Sequence, residues 1–142
     1  IFFSGNMSVG IALLTDLAKQ TAKAFPGANI EIVESHHNKK LDVPSGTALM
    51  LADAIKEVRP EATYNVGRHE NGKRTDEEIG IHSIRLGNTI GIHEILISSG
   101  TQTITSKHEA HDRMLFAEGA LAAAEFLAGQ GYGLYDMQSM LQ

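Results

Sequence analysis

The sequence predicts an α+β fold: an open, mixed and largely antiparallel sheet with helices packed on one face and the other face used for oligomerisation. Three observations lead there. Apolar residues recur at helical spacing in residues 8–25, 45–58 and 112–128. Residues 79–107 read as successive strands separated by glycine-containing turns. The strand expected over 89–98 carries apolar side chains at both parities, so both of its faces need cover, and few helices are available to provide it. With 142 residues the chain suits one compact domain able to bury a real core.

The elements follow in order. Val9, Leu13, Leu14, Leu17, Ala18, Ala22 and Phe25 form one stripe, with Lys19 and Lys23 opposite, and Pro26-Gly27 ends that helix. Residues 28–35 alternate as a strand and run into the polar stretch His36–Asp42. Ser45 follows Pro44 and opens a second helix, which Arg59-Pro60 closes. Residues 63–78 are polar and glycine-containing, and the sequence leaves them open between loop and weak strand. Strands over 79–86, 89–98 and 101–107, joined by Gly87-Asn88 and Ser99-Gly100, are expected to form an antiparallel meander. In the middle strand Ile90, Ile92 and Leu96 point one way, Ile95 and Ile97 the other. An alanine-rich helix over 112–128 and a glycine-containing tail complete the chain. The economical cover for the second sheet face is the same sheet of another subunit.

Composition excludes several functions. A net charge of −5 and the absence of a basic run argue against nucleic acid as a partner. With no cysteine there can be no disulfide, thiolate metal site or cysteine nucleophile, and a reducing cytoplasm suits the chain. Apolar stretches break well before the ~20 residues of a membrane span. The chain opens without Met on Ile1-Phe2-Phe3, like the tail of a buried strand, so a longer polypeptide is expected.

The chemistry concentrates in Glu34-Ser35-His36-His37-Asn38-Lys39-Lys40-Leu41-Asp42-Val43-Pro44-Ser45-Gly46-Thr47. Two imidazoles and two ammonium groups precede a helix N-terminus, where amides without intrahelical acceptors and the helix dipole favour an anion. Gly46 lets the backbone approach that anion, Lys40 adds charge and a proton, and an imidazole exchanges protons near neutral pH. The pattern suits a small carboxylate-bearing substrate that must be protonated. Residue by residue, a helix cap and a solvated loop would explain the same letters.

The whole string resembles the Glu-x-His-His-x-x-Lys-x-Asp-x-Pro-Ser-Gly-Thr-Ala run of the 4-hydroxy-tetrahydrodipicolinate reductase (dihydrodipicolinate reductase) family, filled at every specified position from Glu34 to Ala48. Asn6–Gly10 resembles the family's hinge, Gly80–Ser83 its central strand, and Arg113 with Phe116-Ala117-x-Gly119-Ala120 and Gly133–Met137 its closing helix and tail. Two positions depart from the family pattern: Ile92 before His93, where glutamate is frequent, and Glu109 after His108, where a basic residue is frequent.

The resemblance implies that residues 1–142 are the substrate-binding and tetramerisation domain, with 1–10 a hinge from a preceding dinucleotide-binding domain. It implies His36 and Lys40 as catalytic proton donors, His37, Ser45, Gly46 and Thr47 as substrate ligands, and Ser4, Gly5, Asn6 and Met7 as the stretch beside the nicotinamide of NADH or NADPH, with Arg113 nearby. The implied reaction, in lysine and diaminopimelate biosynthesis, is hydride transfer to the substrate ring with loss of water. The implied assembly is a homotetramer through the open sheet face. No Gly-x-Gly-x-x-Gly follows a strand, so the isolated chain is expected to be inactive.

Two other readings compete. His108-Glu109-Ala110-His111 falls one residue short of the metal-binding His-Glu-x-x-His pattern, so no metal is expected. A non-catalytic anion-binding oligomerisation module would use the same helix N-terminus without the chemistry.

Overall fold

The computed structural model describes residues 1–142. In chain order its elements are α1 (Val9–Ala24), β1 (Asn29–His36), α2 (Gly46–Val58), β2 (Thr63–Val66), β3 (Glu78–Arg85), β4 (Gly91–Ser98), β5 (Thr103–Ala110), α3 (Met114–Ala128) and α4 (Met137–Leu141). The five strands form one open sheet in the order β2-β3-β1-β4-β5. β1 runs parallel to β3 and antiparallel to β4, β2 is parallel to β3, and β4 is antiparallel to β5.

Alternation along the strands decides which side chains meet the helices. Ile30 and Ile32 of β1, Ile79 and Ile81 of β3, and Ile95 and Ile97 of β4 face one way. They form a single core with Ile11, Leu14, Ala18 and Ala22 of α1 and Ala48, Leu51, Ala52 and Ile55 of α2. Small alanines at the inward positions of both helices let them pack closely on the isoleucines. Arg59, just past α2, closes the far end of this layer by donating to the carbonyls of Ala28 and Phe25 at 2.7 and 2.6 Å.

The expected meander is corrected in one place. β3 and β4 do not pair, because β1 lies between them. The turn at Gly87-Asn88 is real: Thr89 N–H bonds to the Leu86 carbonyl, and Gly87 takes a φ of 51°. It spans the end of β1 instead of closing a hairpin, since Leu86 N–H reaches the His36 carbonyl and Asn38 N–H reaches that of Gly87. A local turn signal does not distinguish a hairpin from a step over one strand. The Ser99-Gly100 turn does join paired strands, β4 and β5.

Residues 63–78 contain the edge strand β2 and a connection that returns to make β3 parallel to it. This connection is tied to the uncovered sheet face. Arg68 and Arg74 both bond to Glu31, which His82 also meets at 3.1 Å, and Arg68 pairs with Glu78. The rest of that face presents Val33, Ile84, Ile92 and Leu96 beside Glu94 and Lys107. Ile92 and Glu109, the two departures from the family pattern, are direct cross-strand partners here. Glu109 lies 3.7 Å from Lys107 of the same strand.

At the chain ends, Phe3 N–H bonds to the Tyr135 carbonyl and Tyr135 N–H to that of Ile1, both at 2.8 Å. The opening residues thus pair with the tail as an isolated parallel bridge. No helix is long and apolar enough to cross a membrane.

Candidate active site

The core-facing parity of β1 continues past Ile30 and Ile32 to Glu34 and His36. That parity carries a carboxylate and an imidazole beneath the N-terminus of α2. Glu34 is completely buried, and a lone buried charge there would be prohibitive. Arg85, the last residue of β3, resolves this with a two-pronged contact at 2.9 and 3.0 Å, and the Ser45 amide adds a third donor at 3.1 Å. The fourth partner is Nδ1 of His36, at 2.5 Å. Burial pushes the Glu34 carboxyl upward, but Arg85, then Ser83, His36 and the Ser45 amide, outweigh it and hold the group at about 2.

Ser45 caps α2: its Oγ accepts from the Ala48 amide at 3.1 Å and lies 3.1 Å from Nε2 of His93. His93 shares the inward parity of Ile95 and Ile97 and meets the His36 ring edge-on, with centroids 5.2 Å apart. Burial, then the neighbouring His36, lower its basicity to about 4, so it is neutral near pH 7. One strand further, His108 is also pushed down by burial, and its Nε2 lies 3.5 Å from the Ser8 hydroxyl that caps α1.

The segment Ser4–Met7 is bound to the same helix end. Asn6 donates from Nδ2 to Thr47 Oγ1 at 2.9 Å and accepts the Ser8 amide at 2.8 Å, while Ser4 Oγ donates to the Asn6 carbonyl at 2.7 Å. On the other side the Met7 carbonyl presses against Gly119 of α3, where a β-carbon would lie only 1.7 Å from its oxygen. Two concavities result, and Asn6 lines both. A groove of about 470 Å³ is bordered by Ser4, Gly5, Gly46, Met50 and Met137, and a recess of about 50 Å³ by His36, Thr47, Gly91, His93 and His108. No group of three or more His, Asp or Glu side chains is placed to hold a metal ion.

Comparisons with known proteins agree with this geometry. The family model described as "Dihydrodipicolinate reductase, C-terminus" matches residues 10–141. The chain belongs to this family. Among its relatives, the 4-hydroxy-tetrahydrodipicolinate reductase of Caldanaerobacter subterraneus subsp. tengcongensis is 49% identical over 144 residues, covering 100% of this chain and 57% of that protein. The protein of the same name from Clostridium novyi is 43% identical with the same coverage. A solved structure, dipicolinate-bound dihydrodipicolinate reductase from Paenisporosarcina sp. TG-14, superposes with a TM-score of 0.78 at 33% identity, covering 95% of this chain and 52% of that one. The chain therefore spans a little over half the length of the curated relatives it matches.

In this dihydrodipicolinate reductase domain the expected site residues are brought together unevenly. His36 and Thr47 line the recess, and Gly46 is exposed at the first position of α2. Lys40 lies beside them in sequence but is engaged by Asp42 at 2.8 Å, an ion pair that lowers the Asp42 carboxyl. His37 turns outward and accepts the Lys39 amide at 3.3 Å. Ser45 differs from expectation in how it acts: its amide serves Glu34 and its hydroxyl serves the cap and His93, so its polar groups are spent inside the protein. That leaves the amides of Gly46 and Thr47 as the helix-end donors without intrahelical acceptors. Glu34, Arg85, His93 and Gly91 were not assigned roles from the sequence. The signal for the first three was parity, a charged or polar residue at a core-facing position of an otherwise apolar strand.

Proposed function

We propose that this domain supplies the substrate half of an NAD(P)H-dependent 4-hydroxy-tetrahydrodipicolinate reductase of lysine and diaminopimelate biosynthesis in the cytoplasm. The observation that carries this reading is the meeting of the α2 N-terminus with an imidazole. Thr47, at the second position of α2, lines one recess with His36, and Asn6 joins that corner to the 4–7 segment. Amides and dipole grip a carboxylate of the dianionic substrate, Thr47 adds its hydroxyl, and His37 and Lys40 approach from the 36–42 loop. Ser45 acts as the cap that holds those amides in place. His36 and Lys40 supply protons and offset the negative charge that the substrate gains on reduction.

The cofactor side fits the groove beside Ser4, Gly5, Asn6 and Met7. Its lining combines the apolar Ala12, Leu49 and Met50 with the polar groups of Ser4 and Asn6, which suit the carboxamide-bearing ring of NADH or NADPH, and it also carries the carboxylates Asp53, Glu57 and Asp136. A nicotinamide bound there supplies the hydride. This chain's residues then orient the substrate and deliver the proton that leaves with the hydroxyl as water. A homotetramer through the open sheet face would cover the exposed Ile84 and the half-buried Val33, Ile92 and Leu96.

The test uses the reductase with its nucleotide domain. His36→Ala and Lys40→Ala should each lower kcat on the order of 10²-fold or more, with little change in nucleotide affinity. Thr47→Val should chiefly raise KM, because its grip is the same in ground and transition states. Wild-type kcat in both alanine variants would refute the assignment of His36 and Lys40 as the proton donors.

A further inference from the structure

His36 offers two nitrogens for proton exchange, and the structure decides between them. Four nitrogens lie within 3.1 Å of the Glu34 carboxylate oxygens. Three are groups that can only donate: two nitrogens of Arg85 and the amide of Ser45. An ionised carboxylate only accepts, so the fourth neighbour, Nδ1 of His36 at 2.5 Å, must carry a hydrogen in the neutral ring as well as in the imidazolium. The neutral ring then holds its lone pair on Nε2. That atom lies beside Gly91, where a β-carbon would stand 3.2 Å away, and faces the recess shared with Thr47 and Asn6. Arg85 is itself fixed by the carbonyls of Asp42 at 2.7 Å and Ile84 at 2.9 Å. An ion pair with one member completely buried and the other largely so is weak evidence of a stabilising role, since a well-packed apolar pair often serves as well, so its location under a proton-exchanging ring calls for another reason.

We infer that Glu34, clamped by Arg85, is a positioning residue that holds His36 in the tautomer bearing its proton on Nδ1, leaving Nε2 as the atom that exchanges a proton with the substrate. The inference rests on the reading of His36 as a proton-exchanging group. In the reaction the imidazolium loses its Nε2 proton to the departing hydroxyl and becomes the neutral Nδ1–H ring. A solvent proton then returns to Nε2, so each turnover takes up one proton and one hydride and releases one water. Glu34 stays ionised throughout and only orients the ring, as the carboxylates that fix imidazole tautomers in other active sites do.

Imidazole ¹⁵N NMR of the 142-residue chain, at a pH where His36 is neutral, reads the tautomer directly. A protonated Nδ1 with a bare Nε2 is expected, and a His36 protonated on Nε2 would overturn the proposal without any variant. In the reductase with its nucleotide domain, Glu34→Gln leaves a single acceptor facing two sets of donors. It should lower kcat about 10–100-fold with KM nearly unchanged, and the ¹⁵N spectrum should lose the single tautomer. Unchanged kcat in Glu34→Gln alongside a large loss in His36→Ala would refute the positioning role alone. Unchanged kcat in both would overturn the reading of His36 on which it rests. If Glu34→Gln fails to fold, the wild-type tautomer still decides.

Discussion

Replacing Gly119 with alanine sets two physical effects against each other. Gly119 lies inside α3, where alanine is normally favoured over glycine by about 1 kcal/mol through helix propensity. Here the added carbon would lie 1.7 Å from the Met7 carbonyl oxygen and 2.9 Å from its carbon, both backbone atoms that cannot rotate aside. Contacts under 3.0 Å are essentially never adopted, so α3 or the 4–7 segment must retreat by more than ~1 Å. Overpacking of this kind costs about 1–3 kcal/mol, and displacement of the segment also endangers the Asn6–Thr47 hydrogen bond. The net expectation is a loss of roughly 0–2 kcal/mol, or up to about 8 °C in Tm for a chain of this size. Urea titration monitored by circular dichroism measures it, with an unchanged m-value showing that the unfolded state is unaltered. A variant more stable than wild type by about 1 kcal/mol would mean that helix propensity prevails and that α3 does not press on the segment.

Other expectations concern acid stability and assembly. His93 is held neutral, at about 4 in the folded chain against 6.5 unfolded, so the unfolded chain binds a proton first. Its contribution of about 3 kcal/mol should be present above pH 6.5 and lost as pH falls toward 4, and His93→Gln should flatten that part of a stability–pH curve. A curve for His93→Gln that parallels wild type from pH 6.5 to 4 would show that the ring is not held neutral. Glu34, at about 2 against 4.5 unfolded, adds a second, separate loss between pH 4.5 and 2. Light scattering should find four copies together at micromolar concentration, and Ile84→Glu or Leu96→Glu should dissociate them. A soluble wild-type monomer would exclude the sheet face as an interface.

The sequence was most legible where information is local. The stripe from Val9 to Phe25 and the Ser45 cap place α1 and α2 within a residue of their observed starts, because periodicity and capping are properties of neighbours in the chain. Strand partnership was not legible. The Gly87-Asn88 turn looks the same whether β4 pairs with β3 or passes over β1, and only the long-range register decides. β2 is a four-residue edge strand with no strong apolar alternation, so nothing local marked it. The site divides the same way. Residues 34–47 are one contiguous string and could be read, whereas Arg85, Gly91, His93 and His108 join it from three later strands. The use of the Ser45 amide was equally hidden, since it depends on Glu34 eleven residues earlier turning inward.

The N-terminus of α2 is the point at which the proposed function requires a substrate carboxylate to bind. Titrating the ¹⁵N-labelled chain with pyridine-2,6-dicarboxylate, followed by amide NMR, tests it with a planar dianion of the right class. The Gly46 and Thr47 amides should move first and furthest, with smaller changes at Asn6 and at the His36 ring. Shifts confined to the far end of the sheet, around the Ser99-Gly100 turn, or none up to millimolar ligand, would contradict the placement.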